Sequence, residues 1–203
     1  MGWVSTWDYA QLVPTTYGKG VCSIPRELYL KNTADGLRLY QKPLETLSTL
    51  RGKPFVLKRT LKPGVQEMGA VSAMNNQYEI VANFSTETAN TFGFNLCSGK
   101  ERNVSLSYDV KSNTLLLDRT NASDTEIPKF ERIAFAKVAP IDGNLNLDIF
   151  VDKSVIEIYA NGGECVMTAL MFPSDTDTAA EVFAHRNGTR ADIAVYPIDS
   201  THP

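Results

Sequence analysis

The residues whose types and spacing could do chemistry are the acids of one late stretch, Asp148, Asp152 and Glu157. Paired carboxylates are the working parts of glycoside hydrolysis, separated by roughly 5–5.5 Å in retaining enzymes and 6.5–9.5 Å in inverting ones. Asp148 and Asp152 share a strand face, but four residues along a strand put them about 13 Å apart, too far for either mechanism. Asp152 and Glu157 become diagonal neighbours across a tight hairpin. The plainer reading of that pair is an exposed acidic strand edge. Phe150 and Tyr159 fall on the same outward face. Aromatic rings beside acids can stack a sugar and bond its hydroxyls. They can equally pack against a second domain, since exposed aromatic patches mark contact surfaces, and that reading is favoured.

The element that must position these groups is the stretch Leu145–Pro173. Leu145, Leu147, Ile149 and Val151 alternate with Asn146, Asp148, Phe150 and Asp152, the period of a strand with two unlike faces. Lys153-Ser154 is read as a two-residue loop that pairs Asp152 with Val155 and Phe150 with Glu157. Asn161-Gly162 or Gly162-Gly163 supplies the next turn, because a type I′ hairpin needs positive φ at both central residues. In that register Ile156, Ile158, Ala160, Cys165, Met167, Ala169 and Met171 join the apolar side. Three antiparallel strands with one apolar face are a core sheet.

The rest of the chain supports the same class. Alternating runs at Gln77–Ser85, Phe92–Leu96, Val104–Tyr108, Leu115–Leu117, Ile133–Val138, Glu181–Ala184 and Asp192–Tyr196 bring the total to about ten short strands. Gly, Asn and Asp turns separate them, which predicts an antiparallel β-sandwich rather than parallel βαβ units. One helix is expected over Pro43–Arg51, with Leu44, Leu47 and Leu50 on one face and Gly52 as its end. Pro25 confines the run before it to an edge or a strand end, and Asp35-Gly36 is read as a turn.

Composition narrows function further. The 203 residues carry a net charge of −3 with 43% hydrophobic residues, enough for a real core. No basic cluster points to nucleic acid, and no apolar run reaches the roughly 18 residues of a membrane span. No signal peptide opens the chain, and Met1-Gly2 with Thr6 is only a weak match for myristoylation because Trp3 and Trp7 look like core residues. Cys22, Cys97 and Cys165 have no metal or disulfide spacing and are read as buried free thiols. His185 and His202 suggest no metal site, and no cofactor is implied. The sequons at Asn83, Asn103, Asn121 and Asn187 matter only on a eukaryotic secretory route. No nucleophile elbow, phosphate loop, dinucleotide fingerprint or zinc-protease motif is present.

Together these motifs resemble glycoside hydrolase family 32, the invertases, levanases and inulinases. The resemblance rests on Phe150-Val151-Asp152-Lys153-Ser154, Glu157, Tyr159 and Asn161-Gly162-Gly163-Glu164, and on Leu117-Asp118-Arg119-Thr120. Near the N-terminus, Gly2-Trp3, Trp7, Tyr9-Ala10 and Ile24-Pro25-Arg26-Glu27-Leu28 resemble closing strands of the family's five-bladed propeller, with levanase or exo-inulinase the nearest flavour. The resemblance implies an all-β, jelly-roll-like two-sheet sandwich over 54–203, a linker with a short helix over 30–53, and a propeller remnant over 1–29. It implies no catalytic residue here. The family's nucleophile motif Asn-Asp-Pro and its Arg-Asp-Pro motif are absent, and Glu164-Cys165, though it matches the acid/base dipeptide, sits in a sandwich hairpin. Trp7 matches a tryptophan lining the fructose pocket, a role that needs an intact propeller. The implied partners are that catalytic propeller, a fructan and a second copy of the chain, and the implied parent enzyme is secreted or periplasmic.

Overall fold

The computed structural model describes residues 1–16, 18–33, 36–123, 125–186 and 188–199. Asp35, Asn187 and His202, named above, lie outside the described residues. Two short hairpins come first, β1 (Trp3–Val4) with β2 (Val21–Cys22), and β3 (Arg26–Thr33) with β4 (Gly36–Pro43). Twelve strands follow: β5 (Phe55–Thr60), β6 (Gly64–Glu67), β7 (Gln77–Ser85), β8 (Thr91–Ser98), β9 (Val104–Asp109), β10 (Thr114–Asp118), β11 (Ile133–Lys137), β12 (Asn144–Asp152), β13 (Val155–Ala160), β14 (Cys165–Leu170), β15 (Ala179–Ala184) and β16 (Arg190–Pro197). They form two six-stranded antiparallel sheets, ordered β11-β10-β9-β8-β15-β6 and β14-β13-β12-β7-β16-β5. The fold is a β-sandwich, as its alternation predicts. The two strands missing from the sequence reading, β5 and β6, are edge strands, with one neighbour each and weak alternation.

The inner faces meet in one core. Tyr78, Ile80 and Phe84 of β7 pack with Phe92, Phe94 and Leu96 of β8, with Leu147, Ile149 and Val151 of β12, and with Ile156 and Ile158 of β13. Phe84 stacks on Phe92 with ring centroids 4.4 Å apart. The central hairpins keep the expected register, with Asp152 opposite Val155, Phe150 opposite Glu157, and Ala160 opposite Cys165. Residues 161–164 form the second turn, and Asn161, Gly162 and Gly163 all have positive φ.

Three expectations are corrected. The segment read as a helix over Pro43–Arg51 is a 3₁₀ turn, Glu45–Leu50, and Pro43 ends β4. The spacing of Leu44, Leu47 and Leu50 is three, the period of a 3₁₀ helix, in which residues i and i+3 eclipse. Trp3 and Trp7 are not core residues: they are 43% and 84% exposed and lie against each other, 5.0 Å between rings. Of the three free thiols only Cys97 is buried, with its pKa pushed up to about 12 by desolvation, while Cys22 is exposed and Cys165 half-buried.

The β3–β4 hairpin is tied to the sandwich at the second turn, where the Gln41 N–H donates to the Gly163 carbonyl at 3.0 Å. A Cβ on Gly163 would sit 1.8 Å from the Gln41 carbonyl oxygen, and φ there is +87°. Gly163→Ala is therefore expected to cost at least the roughly 1–2 kcal/mol of left-handed strain and to push the hairpin off. Gly162→Ala, whose Cβ would meet nothing within 4 Å, should show the strain alone. Thermal unfolding of both variants, with proteolysis of residues 26–43, distinguishes the two.

Candidate functional site

The outer face of the sheet containing β12 carries the groups that the sequence singles out. Because side chains alternate, residues facing each other across five strands form rows on this face. One row is Glu157, Phe150, Glu79 and Tyr196; the next is Tyr159, Asp148, Val81, Ala194 and Val56; a third is Asn146, Asn83, Asp192 and Lys58.

The first row is not open to solvent. Glu157 and Tyr159 are each 1% exposed and Phe150 is 9% exposed, which corrects their expected outward exposure. Over Glu157 and Tyr159 the cover is the N-terminal segment. The Ile24 N–H donates to Glu157 Oε1 at 2.6 Å, Arg26 Nη2 donates to Glu157 Oε2 and to Thr168, and the Tyr159 hydroxyl donates to Oε2 at 3.0 Å. Arg26 Nη1 reaches Gln41 at 3.2 Å, and its guanidinium lies over the Tyr159 ring at 5.3 Å. Burial, with the Glu157 carboxylate beside it, pushes the Tyr159 phenol well above its ordinary value. Phe150 meets Tyr159 edge-on at 6.2 Å. These rings and the acid between them form a docking joint for the chain's own N-terminal part.

A second acid site lies at the other end of the row. Arg51, which follows the 3₁₀ turn, donates from Nε to Glu79 Oε2 at 2.6 Å and from Nη2 to Oε1, and lies 4.7 Å over the Tyr196 ring. Asp148 is half-buried next to it, hydrogen-bonded to Glu79, and its carboxyl is pushed up to about 8, first by burial and then by the Glu79 charge. Two acids in contact divide their protons unequally. Glu79 is paired with Arg51, and the carboxyl of Asp148 beside it is the one pushed up. Glu79 is 1% exposed, with both carboxylate oxygens held by Arg51. Asp152 stands apart, exposed, with Gln77 as its partner at 3.5 Å. Glu164 points outward and accepts from Asn161, so Glu164-Cys165 is a turn feature of the hairpin.

Trp7 belongs to a different surface. It flanks a cavity of about 970 Å³ between the N-terminal segment and the sandwich, lined by Trp3, Tyr9, Arg26, Arg119, Lys129 and Thr168 among others. Arg119, from the Leu117-Asp118-Arg119-Thr120 motif, is buried there. It donates to the Leu170 carbonyl at 2.5 Å and to the Glu131 carbonyl, and lies 4.7 Å over Phe130, which Tyr9 meets edge-on at 5.1 Å. The motif therefore joins N-terminal segment, β10 and β14. Among the described residues, no group of three or more His, Cys, Asp or Glu is placed to hold a metal ion. Among the described residues no helix is long and apolar enough to cross a membrane.

Sequence reasoning missed Arg51 and Glu79. The signal available was a charged residue alone between aromatic and aliphatic neighbours, Tyr78-Glu79-Ile80, a stretch buried on both faces.

Comparison with known proteins agrees with this architecture. Residues 46–197 match the family model described as glycosyl hydrolases family 32 C terminal. The chain is 33% identical to a levanase of Bacillus subtilis over 204 residues, covering 98% of this chain and 30% of the levanase. It is 28% identical to an extracellular exo-inulinase of Aspergillus awamori, covering 99% of this chain and 38% of that protein. The crystal structure of exo-inulinase from Aspergillus awamori superposes with a TM-score of 0.87 at 27% identity, over 98% of this chain and 40% of the other. The chain thus spans between three and four tenths of the length of these relatives. On its sequence, its two-sheet fold and these likenesses, the chain belongs to glycosyl hydrolase family 32, as the C-terminal β-sandwich part of its levanase-, inulinase- and invertase-like enzymes.

Proposed function

We propose that this chain is the non-catalytic part of a β-fructosidase acting on levan, inulin or sucrose, and that it buttresses the catalytic propeller. The observation that carries this reading is the bare face of the β3–β4 hairpin. Leu28, Leu30, Leu37 and Leu39 are each between 52% and 63% exposed on it, while Tyr40 on the opposite face is buried. Trp3 and Trp7 add exposed apolar surface to the same part of the chain, residues 1–43, and exposed apolar patches mark contact surfaces. A neighbouring propeller strand or blade is the partner that fits a hairpin with one side already docked. The propeller-derived part then extends to residue 43, because β3 runs straight through the boundary expected at residue 29. Residues 44–53 form the link. Trp7 would line the fructose pocket only in that assembly. The extracellular naming of the exo-inulinase relative supports a secreted parent. A second copy of this chain is the other possible cover for the apolar surface. With Phe150 and Tyr159 already covered, a sugar-binding platform built on those two rings has little surface left.

Two measurements test the proposal. The chain alone, incubated with sucrose, levan or inulin, is expected to release no fructose. Sustained release, lost on Glu79→Gln or Asp148→Asn, overturns the non-catalytic reading. Leu30→Lys with Leu39→Lys should abolish association with the separately produced catalytic part of the enzyme. Association unchanged by those charges would place the joint elsewhere.

A further inference from the structure

The second and third rows of the outer sheet face carry a feature that the docking joint does not use. They line a concavity of about 580 Å³ whose far wall is Tyr159 and Gly162. Val56, Ala194 and Val81 lie side by side across β5, β16 and β7 and make a flat apolar floor, with Val56 and Val81 well exposed. Lys58, Asp192, Asn83 and Asn146 lie side by side in the adjacent row and make a polar rim across four strands. At the usual strand separation of about 4.8 Å, this rim offers one hydrogen-bonding group per strand over roughly 14 Å.

The rim is also neutral as a whole. Lys58 pairs with Asp192 at 2.8 Å. The Asn83 amide donates to Asn146 Oδ1 at 2.6 Å, leaving the Asn146 amide N–H groups and the Asn83 carbonyl to face a ligand. Glu79 is neutralised by Arg51. Asp148 lines the floor with its Oδ1 buried out of a ligand's reach. An anionic ligand finds no unpaired cation here, and a cationic one finds no unpaired carboxylate. A flat apolar strip beside a ladder of neutral donors and acceptors matches a chain of sugar rings, whose faces are apolar and whose edges carry hydroxyls.

We propose that this groove, formed by Val56, Val81, Ala194, Asn83, Asn146 and Asp192, is an accessory binding site for a short neutral fructan segment. The choice of fructan rests on the family reading above; the choice of a neutral oligosaccharide rests on the groove. The site lies on the same sheet face as the docking joint and shares strands with it, but in neighbouring rows where Val56 and Val81 stay exposed. It would hold polymer on the enzyme without taking part in bond cleavage.

The test is amide NMR of the chain titrated with the trisaccharide 1-kestose, an inulin-type ligand, with a levan-type trisaccharide and with maltotriose as control. Saturable shifts confined to residues 81–83, 146–148 and 192–194, at millimolar ligand, are expected with the fructans. Val81→Arg, which blocks the floor, and Asn146→Ala, which removes a rim group at the surface, should each weaken binding about tenfold or more while unperturbed β-sheet circular dichroism shows that the fold is kept. No saturable shift with any sugar overturns the site, and leaves the propeller-buttress reading to its own association test. Shifts confined to the cavity beside Arg119 overturn it as well. Equal response to maltotriose overturns the fructan assignment.

Discussion

Replacing Glu157 with alanine is expected to cost about 3–5 kcal/mol, the usual penalty for removing one partner of a buried ion pair. The side chain accepts hydrogen bonds from the Ile24 backbone, from Arg26 and from Tyr159, and is 1% exposed. Without it, the Arg26 guanidinium, itself largely covered, loses its counter-charge, and a backbone N–H and a phenol lose their acceptor. The loss should fall first on the joint, because the sandwich core of β7, β8, β12 and β13 makes no use of Glu157. Trypsin should then cut at Arg26 and Lys31 much faster in Glu157→Ala than in the native chain, before the sandwich itself unfolds. Glu157→Gln keeps an acceptor and the shape, so it should fall between the two. Unchanged cleavage in both variants would show that the N-terminal segment is held by something else.

The second large effect concerns pH. Asp148 has a folded pKa of about 8 against an ordinary 3.8. Between those values the folded chain holds a proton that the unfolded chain gives up, so stability falls as pH rises. The contribution is fully favourable below about pH 4 and is lost by the time pH has passed about 8. The groups that face Asp148 are Glu79 from β7, Arg51 from the link, Tyr159 from β13 and Tyr196 from β16. Arg51 pulls the Asp148 pKa down, but by less than burial and Glu79 push it up. Asp148→Asn, whose amide can donate to Glu79 in place of the retained proton, should stabilise the chain above pH 7 by at least about 1.4 kcal/mol, the equivalent of one pKa unit. Urea unfolding at acid and alkaline pH measures this. The native chain should lose stability over that range by more than the variant does. Parallel curves would mean that Asp148 ionises normally in the folded state.

The sequence-legible and illegible parts separate along physical lines. The β12–β13–β14 register is legible because each strand turns one apolar face to the core, so a slip of one residue would turn Ile149, Ile158 and Met167 away from it. The Asn161-Gly162-Gly163 turn is legible because three successive positive φ angles demand those residue types. The edge strands β5 and β6 are not legible, since one neighbour and mixed exposure leave little alternation to read. The cover over Phe150 and Tyr159 is not legible either. It depends on Ile24 meeting Glu157 across 133 residues of chain, and no local pattern encodes such a meeting. What the local pattern does encode, an aromatic face beside an acid, is the same for a sugar platform and for a joint. Nor can alternation alone tell a charged pair folded under cover, Glu79 with Arg51, from one left in solvent.

The joint between Arg26 and Glu157 also sets an order of events during synthesis. Arg26 leaves the ribosome 131 residues before its partner, an interval on the order of 10 s at typical elongation rates of roughly 5–20 residues per second. Through that interval Ile24 and Arg26 have no Glu157 to bind. The joint therefore closes as a late step, once β13 has emerged and paired.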